Sequence, residues 1–277
     1  MATEKVKLVR RAARLTVVPV LVGLTTACGA VHNLPAVSRN ELSMAQAEIQ
    51  TRQQPERKAV DDAETRAMMQ SVLHRLRPAA DQLCREVNVG NCNWDFRLSS
   101  SGAMNASSSL RGTIVIHRGI FEFADNEEEI AMVVAHEIAH QVGDHMGRNV
   151  RSQMAGRLAG AIILGALGAA VSAGNRNSAI VTSTAMDAGA NLGGAIGGIA
   201  VSKEQEREAD YMSAVILYRS GVDLDKARGF LVKLAKRSGR TETGLLDTHP
   251  AGPERIASWD RAVQEIKASN GQLPKRQ

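Results

Sequence analysis

The sequence predicts an α+β protein, mostly α-helical, with a small β-sheet beside one central helix. Three observations lead there. Apolar residues recur at spacings of three and four between Asp61 and Val87 and again between Ser202 and Ser220, which is the helical period. Only two short stretches, WDFRLSS (94–100) and TIVIHRGIF (113–121), read as strands. Between these regions AMVVAHEIAH is apolar nearly all round, the pattern of a buried helix.

The 277 residues suffice for one sizeable core or two small ones. Aromatics are only 3% of the chain, so Ala, Val, Ile, Leu and Met must fill that core.

The N-terminus is a separate object. Lys5, Lys7, Arg10, Arg11 and Arg14 precede the apolar run LTVVPVLVGL (15–24), and TTAC ends at Cys28. That is the layout of a secretory signal, and the run is short for a membrane span. The cysteine resembles a bacterial lipobox cysteine, lipidated after residues 1–27 are removed. Thr25 stands where Leu is usual, and Gly29 in place of Asp favours the outer membrane. Residues 1–27 hold five basic residues and one acid, so the formal charge of +5 falls to about +1 without them. A nucleic-acid partner thereby loses its main support.

Residues 28–58 are polar, hold Pro35 and Pro55, and read as a tether with a helix near 40–53. A domain over 59–270 follows, with a tail at 271–277. Its first helix, 61–87, carries Met68, Met69, Val72, Leu73, Leu76 and Leu83 on its apolar face and meets an interruption or kink at Pro78. Cys84 and Cys92 flank a short Gly-containing loop and can form a disulfide in an oxidising compartment. SSSGAMNASSS is a loop by composition. Asp125 or Asn126 caps the next helix, and Glu127 to Glu129 suit its positive end.

Residues 156–200 are rich in Gly and Ala, broken at NRNS, with small residues four apart at Gly189, Gly193 and Gly197. They read as two closely packed helices, with docking on a protein partner or entry into a membrane as the sharper alternatives. SKEQEREADYMSAVILYRS (202–220) opens on a Ser202–Gln205 capping box and stops at Gly221. Helices from Asp223 to Arg237 and after Pro253 complete the chain.

The chemistry starts at VAHEIAHQVGDH (134–145). Residues four apart on a helix share a face, so His136 and His140 can aim at one metal ion. Glu137, about 100° round the helix, reaches a water there without binding the ion. Zinc suits imidazole with carboxylate and needs a third protein ligand. The spacing to His145 is one short of the three-histidine pattern in which Met146 would be the ligand position. Glu206 and Asp210, four apart on the second helix, answer better. Glu206 completes a His-His-Glu set and Asp210 accepts from a ligand histidine. Alone, EQEREAD would be a solvated helix start.

HEIAH, SKEQEREAD and THPAGPERI, in that order, resemble the HtpX and CAAX-prenyl-protease family of zinc metallopeptidases, most closely its periplasmic LoiP/BepA-like lipoprotein members. The resemblance covers about residues 60–265 and implies a gluzincin-type domain holding one Zn2+. It implies zinc ligation by Glu206, with Asp210 behind the ligands and His249 and Arg255 approaching the metal. Asp144 departs from the family, which is usually basic there, as does SSSLRG (107–112), where an apolar loop is usual. With the sequence ending at Gln277, a following helical-repeat domain is not expected, and the resemblance favours the LoiP-like arrangement.

The expected function is zinc-dependent endopeptidase action on unfolded or misassembled envelope proteins. The enzyme would be held in the periplasm by a lipid anchor, at the outer membrane. Glu137 would be the base, and Arg255 or His249 would stabilise the oxyanion. Strand 113–118 would pair with the substrate backbone. His249 can also take the open metal position and hold the enzyme latent. A non-catalytic assembly scaffold on the same fold is the rival, against which the intact Glu137 argues. A membrane-embedded protease, with 156–200 as spans, is another.

Overall fold

The computed structural model describes residues 30–53, 56–172, 177–196, 201–237, 249 and 251–276. The expected signal and Cys28 lie outside them. The chain divides into two compact units, one of Ala30–His145 with Val201–Gln277 and the other containing Met146–Ala200.

In the first unit, α1 (Arg39–Thr51) starts on a Ser38–Glu41 capping box and buries Ala45 and Ile49. It packs on α8 (Leu224–Arg237) and α9 (Pro253–Ala268). The stretch expected to be a tether is therefore part of the folded unit, because its helix has two apolar positions one turn apart to bury. Arg228 reinforces the contact: it donates to Glu48 at 2.7 Å and bridges to Asp260.

Helix α2 (Asp62–Val87) is capped by Asp61, which accepts from Ala63 N and Glu64 N, and it closes at Asn88 in the left-handed region. Pro78 lies inside α2 without ending it. The Cys84–Cys92 disulfide, Cα atoms 5.8 Å apart, fastens the end of α2 to the approach to the sheet. Gly90, inside that loop, passes against the backbone of Gln141 and Val142, where a Cβ would collide.

The sheet has three strands, β1 (Asp95–Ser99), β2 (Ala106–Ser108) and β3 (Thr113–His117), in the order β1-β3-β2. β1 runs parallel to β3 with Leu98 opposite Ile116, and β2 runs antiparallel with Ser107 opposite Val115. Ile114 and Ile116 face the core on alternate positions. Two expectations change. The serine-rich stretch read as a loop contains β2, since its composition hid the strand that β3 recruits. The run 113–121 is a strand only to His117 and then turns into α3 (Arg118–Phe123). β3 is also the central strand, with both edges paired, so it has no free edge for a substrate. β2 is the edge strand beside the central helix: Gln141 Nε2 donates to Ser109 O at 3.0 Å.

That central helix is α4 (Glu127–Val142). Asn126 caps it by accepting from Glu129 N at 2.9 Å, and every residue from Glu129 to Val142 is buried. It packs against α2, α8 and α7 (Lys203–Arg219). α7 starts on the Ser202–Gln205 capping box and ends before Gly221, whose φ of 66° favours glycine.

In the other unit, α5 (His145–Val171) and α6 (Ser178–Ile196) pack closely. Gly165 is pressed by Met186 and Gly189 by the backbone of Gly160, positions where a Cβ would clash. Among the described residues α5 is the one helix long and apolar enough to cross a membrane, by length and composition.

Candidate metal centre

Two helices and one short segment bring the site together. Burial of α4 on all sides places His136, Glu137 and His140 inside the protein. α7, polar at its start and apolar further on, turns Glu206, Glu208 and Asp210 inward. His249 comes from the segment before α9, and Arg255 from the first turn of α9.

His136, His140, Glu206 and His249 each direct one ligand atom to a common point, all within 4.8 Å of one another. His136 Nε2 is 3.0 Å from His140 Nε2, 3.3 Å from Glu206 Oε2 and 3.3 Å from His249 Nδ1. One ring nitrogen has at most one proton to share among three acceptors. A shared cation resolves that conflict, so the donor set fits a metal. Three imidazoles with one carboxylate suit zinc chemistry. Both oxygens of the Glu137 carboxylate are buried and accept no hydrogen bond, with His249 Nε2 at 3.4 Å from one of them. A carboxylate held this way keeps acceptor capacity for a further donor.

Behind the ligands stands a charged frame. Asp210 Oδ1 is 3.0 Å from His136 Nδ1. Arg255 forks onto Asp210 and also reaches Glu206 Oε2 at 3.0 Å. Burial alone would raise the Asp210 carboxyl, but the Arg255 charge and the bonds from His136 and Arg255 hold it below its ordinary value. Glu206 is likewise pushed up by burial and pulled well down by His249, Arg255 and the histidines. Burial lowers His136, but Asp210 and Glu206 outweigh it and bring that ring up to about 9 when no metal is bound.

Arg255, read from sequence as an oxyanion group, is spent on these carboxylates. A guanidinium paired with two buried acids has little left to offer a substrate, so its place is in positioning. His145 also finds its role here. Asp144 adopts a φ of 49°, which ends α4 and swings His145 back until its Nδ1 is 2.8 Å from His140 Nδ1. His145 Nε2 then meets Glu208 at 3.2 Å. Sequence reasoning passed over Glu208, two residues from Glu206 in the same motif. It also passed over His32, 2.6 Å from Glu208, for which the sequence carries no signal.

A helix-borne pair of histidines, an adjacent buried glutamate and a carboxylate from a second helix define the metallopeptidase class. The chain belongs to peptidase family M48, which it matches over residues 70–263. It is 31% identical over 195 residues to the beta-barrel assembly-enhancing protease of Yersinia pestis, covering 68% of this chain and 38% of that one. It is 32% identical over 190 residues to the protein of the same name in Escherichia coli K12, covering 67% and 38%. The chain thus spans less than two-fifths of the length of these relatives.

Proposed function

We propose that the chain is a zinc-dependent endopeptidase of the bacterial cell envelope, hydrolysing peptide bonds in unfolded or misassembled periplasmic and outer-membrane proteins. The observation that carries this is the buried Glu137 carboxylate, which accepts no hydrogen bond, beside a four-donor cluster in an M48 chain. His136, His140 and Glu206 would hold the zinc. Bound there, the ion would supply Lewis acidity to a water and a carbonyl. Glu137 takes the proton of the attacking water and passes it to the leaving amine. Asp210, steadied by Arg255, orients His136. β2, the edge strand tied to α4 through Gln141, pairs with an extended substrate backbone, which asks little of its sequence. The envelope location rests on the lipobox-like start and on the relatives' names.

His249 has a second function. With Nδ1 2.8 Å from Glu206 and 3.3 Å from His136 Nε2, it sits among the ligands. There it fills the position a substrate carbonyl needs and keeps the enzyme latent until its segment withdraws.

The test is casein cleavage by the chain with Glu137→Gln and His249→Ala alongside, zinc content being measured for each. Glu137→Gln should lose at least about 100-fold in rate with zinc retained, and His249→Ala should raise it. Equal rates for the parent and Glu137→Gln would refute the role of Glu137. No cleavage by any of the three, at full zinc content, would favour a non-catalytic scaffold.

A further inference from the structure

Glu208 is buried, lies off the ligand cluster and makes bonds in two directions. Its Oε2 is 3.2 Å from His145 Nε2. Its Oε1 accepts from the backbone N–H of Val31 at 2.8 Å and of His32 at 3.0 Å, and lies 2.6 Å from His32 Nδ1. The arm that supplies these groups is fastened on either side. Arg207 Nη2 donates to Pro35 O at 2.7 Å, Asn33 N donates to Lys275 O at 2.9 Å, and His32 forms a β-bridge with Arg276.

Proton bookkeeping gives this chain of contacts a direction. If His140 binds a metal through Nε2, its proton must sit on Nδ1. That N–H meets His145 Nδ1, 2.8 Å away. His145 then carries its own proton on Nε2 and donates it to Glu208. The second Glu208 oxygen is left to the arm, which offers it three N–H groups. One set of tautomers from His32 to His140 satisfies all of these contacts. The two ligand histidines of α4 are held alike: His136 by Asp210 directly, and His140 by Glu208 through His145.

We propose that the N-terminal arm Val31–His32 is a positioning element of the metal centre, acting through Glu208 and His145 on His140. It rests on the reading of His136, His140 and Glu206 as a metal site. Removing the His32 side chain takes one N–H donor from Glu208 Oε1, and with it part of the hold that Glu208 has on His145 and His140. Groups that hold a ligand histidine from behind typically change metal affinity by about 10- to 100-fold.

The experiment uses the full chain and two readouts, zinc affinity by chelator competition and the visible spectrum of bound cobalt. His32→Ala should weaken zinc about tenfold and shift the cobalt bands. His32→Asn, whose amide can reach Glu208, should restore both. In a Glu208→Ala background His32→Ala should add nothing further. Unchanged zinc affinity and cobalt spectrum in His32→Ala, with only a lower melting temperature, would overturn the proposal and leave the arm a structural strap. Failure of the unaltered chain to bind cobalt or zinc would instead defeat the metal-site reading beneath it.

Discussion

Arg255 holds Asp210 with two parallel hydrogen bonds, Nε to Oδ2 at 2.8 Å and Nη2 to Oδ1 at 2.7 Å, both side chains being buried. The same carboxylate stands 3.0 Å from His136 Nδ1. A helix start on α9 is thereby wired to a candidate ligand on α4 through α7.

Breaking one member of this pair leaves the other charge buried and unmatched. Arg255→Gln should cost about 3–5 kcal/mol in folding stability, read by urea unfolding of the metal-free chain. Asp210→Asn should cost zinc affinity about tenfold or more. A stability loss under 1 kcal/mol for Arg255→Gln would show that the carboxylates are solvated after all.

The His136 ring, raised to about 9 without metal, sets a pH dependence. A histidine with a raised folded value stabilises the metal-free protein most below its unfolded value, and that contribution is lost as pH climbs through about 9. Zinc must displace the same proton. The melting temperature of the metal-free chain should therefore fall between pH 6.5 and about 9, while zinc affinity rises over the same interval. Calorimetry in buffers of different ionisation heat reads the released proton. No proton release at pH 7 would contradict the assignment.

The Cys84–Cys92 bridge closes a loop eight residues apart in sequence. A loop that short limits the denatured chain by about 2–3 kcal/mol. Cys84→Ser with Cys92→Ser should lower the unfolding free energy by that amount, and reductant should do the same to the parent alone. Activity in the double variant should survive at temperatures well below its melting point, since neither cysteine is among the candidate ligands.

The ligand helix was legible because its chemistry and its apolar pattern coincide: a histidine pair four apart in an otherwise apolar segment has few other uses. α7 was legible by its capping box and by the four-residue spacing of Glu206 and Asp210. What escaped was fixed by tertiary contact. β2 is three residues of Ala and Ser with no strand signature, held only because β3 offers it an edge. The arm at His32 lacks periodicity altogether, and nothing short of the fold could bring it to Glu208, 176 residues on. Arg255 was found, but its pairing with Asp210 and Glu206 was not, since sequence shows a charge and not what neutralises it.

Glu206 follows His136 by 70 residues, 206 less 136. On a chain that emerges at about 5–20 residues per second, the cluster stays open for several seconds after its first histidine has appeared. For that interval the nascent polypeptide carries a glutamate base and two imidazoles without the residues that finish the centre. A metal centre assembled in this order cannot close until the second of its two helices has been made.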